Sequence, residues 1–304
     1  MTLIRIIKNI TIRQYKFLPI ILLVKPQNND LCIEMSKLPC VLLSIQDQIA
    51  YVSLNKPERN NALDITMFEQ IKKIINQLKI NRDIRAVIVS AQGDDFCTGL
   101  DVKSFMKSQS GPIKLLCKWL PWQSNLAQFV STGWQQIPVP VIMVINGRCW
   151  GGGLQIALGG DFRVASPTTS LAIMETRWGL IADMGGTLAL RQLVSQDVAK
   201  ELAMTGEIIN SERACQLGLV SHVDNNPMKK AITLATIICQ QSPDSVAATK
   251  KLYNNSWFGS AGLALWRETY YQLRILLGKN RQIKSYNQTH HKTQSKVFFE
   301  RKKW

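Results

Sequence analysis

The stretch from Val141 to Thr187, VIMVINGRCWGGGLQIALGGDFRVASPTTSLAIMETRWGLIADMGGT, constrains the fold more than any other part of this chain. A β-forming apolar run, Val141 to Ile145, meets a turn at Asn146-Gly147. Three glycines, Gly151 to Gly153, then lead into a helix-compatible run from Leu154 to Leu158. Strand, glycine-rich turn and helix together bring backbone N–H groups close to a ligand oxygen. Gln155, Glu175 and Asp183 stand out against the apolar background. A carboxylate beside desolvated amides is the least equipment needed to move a proton next to a carbonyl.

Upstream, Val41 to Ser44 and Ile49 to Leu54 read as strands of a hairpin turning at Gln46 to Gln48. Asn55 to Asn61 is a loop by its turn residues. Asp64, or alternatively Thr66, caps a helix whose Phe68, Ile71, Ile75 and Leu78 recur at three- and four-residue spacing. Arg85 to Ser90 is a buried strand, so strand, helix and strand form a right-handed crossover. A glycine-bearing loop follows, Ala91 to Asp101.

Composition sets the limits. With 304 residues, 46% hydrophobic and 19% charged, the chain suits a core of about 200–250 residues plus extensions. Seven cysteines form no C-x-x-C pair, which favours reduced, cytoplasmic thiols over a disulfide framework. Three histidines, two of them adjacent in a polar segment, argue against a histidine-based metal site. The net charge of +16 raises a nucleic-acid reading. Against it, the basic residues are spread along the chain, dense only from Lys279 to Lys303, and no nucleic-acid module appears. No run is long enough to span a bilayer, and Gly151 to Gly153 lacks dinucleotide-binding spacing.

Three blocks occur in order: Leu54-Asn-Lys-Pro-Glu-Arg-Asn-Asn-Ala-Leu63, Asp95-Phe-Cys-Thr-Gly-Leu-Asp101 and the Val141–Thr187 stretch, with Gly218-Leu-Val220 after them. Together they resemble the enoyl-CoA hydratase/isomerase (crotonase) superfamily over roughly Cys40 to Met228. The resemblance implies an α/β fold: a repeated β-β-α spiral core with a C-terminal helical region. It divides the chain into an extension (1–35), the spiral core with the CoA site (36–228), an oligomerisation region (229–278) and a basic tail (279–304). It implies an acyl-CoA substrate, coenzyme A being part of that substrate, no prosthetic group, a role in fatty-acid β-oxidation, and a homotrimer or dimer of trimers.

The resemblance also implies roles for residues. The Leu100 and Gly152 N–H groups form an oxyanion hole for the thioester. Lys56, Arg59, Ala62 and Leu63 border the coenzyme A, and Phe298, Phe299 or Lys302 reach the coenzyme A of a neighbouring subunit. A typical family hydratase uses two glutamates to hold a water. Gln155 stands at the first position and Glu175 at the second. Asp183 matches an acidic position of the dienoyl-CoA isomerase branch, although that branch also carries an acid where this chain has Gln155. Two carboxylates on opposite sides of an acyl chain suit deprotonation at one carbon and reprotonation at another. Gln155 does not titrate, and is expected to hold a water or the thioester by hydrogen bonds. Double-bond isomerisation therefore leads. Hydration of a 2-enoyl-CoA is the alternative, and a non-catalytic, nucleic-acid-associated member of the fold is the alternative of another class. Glu175 and Asp183 as loop caps, or Arg177 paired with a carboxylate, are the plainer readings of the acidic cluster.

The remaining stretches carry less. Met1 to Asn29 mixes basic and apolar residues and is read as an extension without chemistry, with Met35 just before the first strand. Val102 to Gln136 reads as the acyl-pocket wall or a plain core-packing helical pair, with Leu115, Leu116, Trp119 and Leu120 on one helical face. Asp161 and His222 read as structural. Leu263 to Leu277 is an amphipathic helix ended by Gly278, and Tyr286 to Ser295 reads as flexible.

Overall fold

In the computed structural model, which describes residues 39–101, 111–290 and 295–304, the described chain begins as a hairpin. β1 (Val41–Gln46) pairs antiparallel with β2 (Ile49–Leu54). The turn is tight: Asp47 and Gln48 both take positive φ, 49° and 65°, as a two-residue hairpin requires. The expectations for residues 1–35 and for 102–110 lie outside the described residues.

α1 (Ile65–Ile80) follows. Asp64, not Thr66, is its N-cap, and the carboxylate accepts the Met67 N–H at 2.9 Å. Met67, Phe68, Ile71, Ile74, Ile75 and Leu78 form the buried stripe. Lys56 pairs with the same carboxylate, so the cap also ties down the preceding loop. Asp64→Ala is therefore expected to cost about 1–2 kcal/mol, against about zero for Thr66→Ala, read as urea midpoints.

β3 (Ala86–Ala91), β4 (Val141–Ile145), β6 (Phe162–Ala165) and β9 (His222–Val223) continue the large sheet in parallel, in the order β1-β2-β3-β4-β6-β9. All five residues of β4 are buried, as expected of a strand covered on both faces. The second sheet holds β5 (Arg148–Trp150), β7 (Ser170–Ala172) and β8 (Ile208–Asn210). Bridges Leu63–Leu100 and Cys97–Cys149 extend it. Successive turns of the chain thus visit one sheet, then the other, then a helix. This is the β-β-α spiral, and it runs from Val41 to Val223.

The helices fill in around these sheets. α2 (Gly111–Leu116) and α3 (Leu126–Thr132) precede β4. The expected helical face through Trp119 and Leu120 is not formed. α2 stops at Leu116, and Trp119 is 92% exposed. α4 (Gly152–Leu158) is buried throughout. α5 (Gly186–Leu193), α6 (Gln196–Thr205) and α7 (Ser211–Gln216) complete the core. α8 (Pro227–Cys239) covers the other face of the large sheet, with Ala231 and Ala235 in one cluster with Ile88, Ile142 and Val164. Asp161 is structural: it accepts the Val141 N–H at 2.7 Å and pairs with buried Lys250 at 2.6 Å.

α9 (Pro243–Ser256), α10 (Ala261–Leu276) and α11 (Lys279–Thr289) form the C-terminal region. One expectation holds and one changes here. α10 ends at Leu276 with Leu277 as its cap, just before Gly278, which is the N-cap of α11 at φ −94°. Tyr286 to Thr289 are helical, and Lys296 to Trp304 are bound to the body. Asn287 exchanges hydrogen bonds with the Lys296 backbone (2.8 and 2.9 Å), and Asn280 accepts the Phe299 N–H at 2.9 Å. The physical reason is that asparagine side chains bond extended backbone as readily as water does, so polar composition alone does not mean mobility.

Candidate active site

The site begins where the two sheets' loops meet. Cys97 donates its N–H to Arg148 O (3.1 Å), and Trp150 donates its N–H to Cys97 O (2.9 Å). The two segments therefore run side by side into Gly99-Leu100 and Gly151-Gly152. A Cβ placed on Gly99, whose φ is +93°, would stand 3.2 Å from Trp150 O and 3.5 Å from Gly152 N. Only glycine allows that approach. Leu63 donates to Gly99 O at 2.8 Å, and Asp101 donates to Leu63 O at 3.0 Å, which fixes the peptide between them. Among the described residues no acceptor outside its own element is placed for the Leu100 or the Gly152 N–H. Both residues line one cavity of about 500 Å³.

Glu175 and Asp183 line the same cavity. Glu175 opens a 3-10 turn, Glu175–Trp178, after β7. One of its oxygens, Oε1, takes the Gln155 amide at 2.5 Å. The other, Oε2, is buried with no hydrogen-bond partner. Burial pushes the Glu175 carboxyl above the ordinary glutamic-acid range; hydrogen bonds from its own backbone, the Gln155 amide and the Met174 backbone pull the other way, and the Asp183 charge adds to the rise. A Cβ on Gly151 would sit 3.5 Å from Glu175 Oε1, so this carboxylate lies beside the Gly151-Gly152 turn. Arg177 makes no ion pair among the described residues.

Gln155 does not line that cavity, contrary to the expectation that it holds water or thioester. It is 1% exposed. Its amide nitrogen goes to Glu175, and its oxygen accepts the Met184 and Gly186 N–H groups at 2.9 and 3.1 Å. Part of the cavity wall is apolar, with Phe68, Leu115, Ala127, Ile181 and Met184.

Lys56 and Arg59 are both engaged, Lys56 with Asp64 and Arg59 with Asp101 at 2.6 Å. Arg59 remains half exposed. Ala62 and Leu63 lead from this loop into the Leu63–Leu100 bridge. Phe298, Phe299 and Lys302 do not line the cavity. Phe298 lies under the Arg85 guanidinium at 5.1 Å, Lys279 lies over Phe299 at 5.5 Å, and the Lys302 N–H goes to Asp244 at 2.7 Å.

Two further determinants escaped the sequence reading. Asn61, fully buried, accepts the Lys56 N–H at 2.8 Å and donates to Gln92 O and Asp95 O at 2.9 and 2.8 Å. It joins the Asn55–Asn61 loop to the loop bearing Leu100. Its signal was the Asn60-Asn61 pair, since asparagine tolerates the positive φ both adopt. Asp95 takes the Arg148 guanidinium at 2.6 and 3.0 Å and the Arg148 N–H at 2.8 Å. That side-chain bond holds the Asp95 carboxyl below the usual carboxylate range.

Gly153 tests the amide pair. A Cβ there would stand 2.4 Å from Cys97 O, which neither backbone can accept. Gly153→Ala should therefore push the Gly152 end of α4 away from the Leu100 loop. If the two amides hold a thioester oxygen, as the resemblance implies, misplacing one of them should cost about 10²-fold in kcat, with substrate affinity changed much less. Steady-state kinetics beside a thermal melt separate this from unfolding.

A larger cavity of about 630 Å³ lies between the Gly160–Arg163 segment, α5 and α9, walled by Asp161, Arg163 and Lys250. Its cations are committed: Lys250 to Asp161 and two carbonyls, Arg163 to Leu219 O and Gly160 O. Leu100, Gly152, Glu175 and Asp183 line the smaller cavity and not this one, so the smaller cavity is the candidate site. Among the described residues no group of three or more His, Cys, Asp and Glu is placed to hold a metal, and no helix is long and apolar enough to cross a membrane.

Residues 44–300 match the enoyl-CoA hydratase/isomerase family model. The chain belongs to the enoyl-CoA hydratase/isomerase family. YngF of Bacillus subtilis (strain 168), by its name in this family, is 32% identical over 238 residues, 76% of this chain and 89% of that one. The (E)-benzylidenesuccinyl-CoA hydratase of Thauera aromatica is 34% identical over 219 residues, 69% of this chain and 80% of that one. The crystal structure of an enoyl-CoA hydratase from Bacillus anthracis superposes with a TM-score of 0.75 at 26% identity, covering 85% of this chain and 98% of that one. As a member of the enoyl-CoA hydratase/isomerase family, the chain is an enzyme of that general type, acting on an acyl-CoA.

Proposed function

We propose that this enzyme moves a double bond along an enoyl- or dienoyl-CoA. The observation that supports this is the pair Glu175 and Asp183 in one cavity with the two amides, while the first carboxylate position holds an amide tied to protein. The Leu100 and Gly152 N–H groups hold the thioester oxygen. Glu175, beside the Gly151-Gly152 turn, takes the proton from the carbon next to the carbonyl. The C–H electron pair passes into the conjugated system, and the charge rests on the thioester oxygen, where two fixed donors and the helix terminus oppose it. A proton returned at C4 of a 3-enoyl chain, or C6 of a 3,5-dienoyl chain, restores neutrality and leaves the 2-enoyl or 2,4-dienoyl product. Asp183 supplies that proton, the proton held by Glu175 returns to Asp183 through solvent after product leaves, and no oxidant or water is consumed.

Ala62 and Leu63 border the coenzyme A through their backbone, and Arg59, half exposed at the rim, meets its phosphates. Lys56 adds charge there while holding Asp64. The enzyme works as a trimer or a dimer of trimers. In support, Leu265, Trp266, Tyr270 and Leu273 of α10 are left exposed, an apolar face larger than single scattered side chains.

Hydration is the second reading, favoured by the hydratase names of relatives. A product assay decides. With 3-enoyl- and 3,5-dienoyl-CoA the double bond should shift, and in D₂O the product should carry deuterium. With 2-enoyl-CoA the product heavier by one water should form slowly. A dominant hydrated product from 2-enoyl-CoA, with no migration in the others, would replace isomerisation by hydration.

A further inference from the structure

We infer that Gln155 is a positioning residue: it dictates which oxygen of Glu175 carries the proton and sets the spacing between the Glu175 and Asp183 segments. The inference rests on Glu175 being the proton-transfer group. The amide orientation follows from its neighbours. Met184 and Gly186 present backbone N–H groups, which only donate, so the Gln155 oxygen must face them. The NH₂ is thereby turned to Glu175 Oε1, 2.5 Å away. It cannot flip without facing donors with donors. Oε1 is thus held as an acceptor, its negative charge favoured by the donor, and a proton arriving on Glu175 is favoured at Oε2, the buried oxygen for which no hydrogen-bond partner is placed.

The same side chain spans two segments. One arm reaches the first residue of the Glu175–Trp178 turn, the other the residues just after Asp183. Close approach is built in: a Cβ on Gly186 would stand 2.9 Å from Gln155 Oε1. A glutamate at 155 would keep one oxygen on the two backbone N–H groups and bring its other oxygen against Glu175 Oε1. Two carboxylate oxygens at that separation share one proton. The charged groups on the same cavity as Glu175 are Asp183 on the following loop and, from β5, Arg148, whose guanidinium is bound to Asp95.

The test uses the full chain labelled with ¹³C at the glutamate carboxyl. The Glu175 resonance is identified by its loss in Glu175→Gln. It is titrated in the wild type, Gln155→Met and Gln155→Glu. Removing the donor in Gln155→Met should move the midpoint upward. In Gln155→Glu the carboxyl should titrate with its new neighbour in two steps, the upper at least about one pH unit above the wild type. In turnover, Gln155→Met should lose about 30- to 100-fold in kcat with KM within about threefold, because it misplaces a group rather than a binding surface. If Gln155→Met does not fold, Gln155→Glu, of the same shape, carries the titration. Midpoints within about 0.3 pH unit of the wild type in the folded variants would overturn the inference. Should the wild type isomerise none of the enoyl substrates, the proposed reaction fails while the titration still decides the role of Gln155.

Discussion

Glu175→Gln is expected to reduce turnover about 10³-fold while leaving the affinity for an unreactive acyl-CoA within about threefold. The substitution is gentle in shape. The oxygen of the introduced amide still accepts the Gln155 NH₂, and the introduced NH₂ stands where the protonated Oε2 would be, so the variant resembles the acid form frozen. Only the capacity to exchange a proton is removed. Wild-type activity should rise with pH along a limb set by the Glu175 carboxyl. That limb lies above the ordinary value of 4.5 because burial disfavours the charge. Stability should move the other way. A carboxyl whose folded pKa is raised favours the folded state below its unfolded pKa, and that advantage is lost as pH rises through the folded value. The introduced amide never ionises. The variant should therefore melt at or above the wild-type temperature at pH 8, with the difference closing near pH 4. Melting that falls together with activity at pH 8 would instead make Glu175 a loop cap.

The spiral core was readable because its signals are local. β4 is an unbroken apolar run, α1 repeats at helical spacing after a capping aspartate, and the glycines of the Gly151–Gly153 turn mark a close approach. These features are set by backbone geometry that the residues themselves enforce. The site was readable as far as Leu100, Gly152, Glu175 and Asp183 reaching one cavity. The part played by Gln155 was not. Its partners are backbone N–H groups of Met184 and Gly186, about thirty residues away, and backbone donors leave no mark in the residue types. The ion pairs of Lys56 and Arg59 were hidden for a different reason. A lysine or arginine in a loop looks free until the fold supplies Asp64 or Asp101. The helical face was misread at Trp119 because its spacing from Leu115 and Leu116 continues the helical repeat, whereas α2 ends three residues earlier.

The C-terminal tail shows the same limit, and Asp244 is where it can be tested. Asp244 is 2% exposed at the start of α9. Its oxygens take the Asn280 amide at 3.0 Å, the Lys302 N–H at 2.7 Å and the Trp304 indole N–H at 3.3 Å. Around this carboxylate the tail closes on the core. Arg301 donates to Asn81 O at 2.8 Å, and Arg82 donates to Arg301 O at 2.7 Å. Arg85, over Phe298, and Arg301 are both pulled below the ordinary arginine range by burial, with the Asp244 charge acting in the opposite direction. Asp244→Ala therefore leaves the Lys302 and Trp304 N–H groups without their acceptor, leaves the Asn280 amide only its longer bonds to Phe299 O and Glu300 O, and removes the anion that offsets two buried cations. The expected loss is about 3–5 kcal/mol. For a chain of this size that is a fall of roughly 10 °C in Tm. Asp244→Asn should lose less, because one oxygen still serves Lys302 and Trp304, but its NH₂ opposes the Asn280 NH₂. Denaturant midpoints give the order wild type, Asn, Ala, and limited proteolysis should cut the variants first near Phe298. An Asp244→Ala protein with the wild-type midpoint and an equally protected tail would mean that the apolar contacts of Phe298 and Trp304, not this carboxylate, hold the tail to the core.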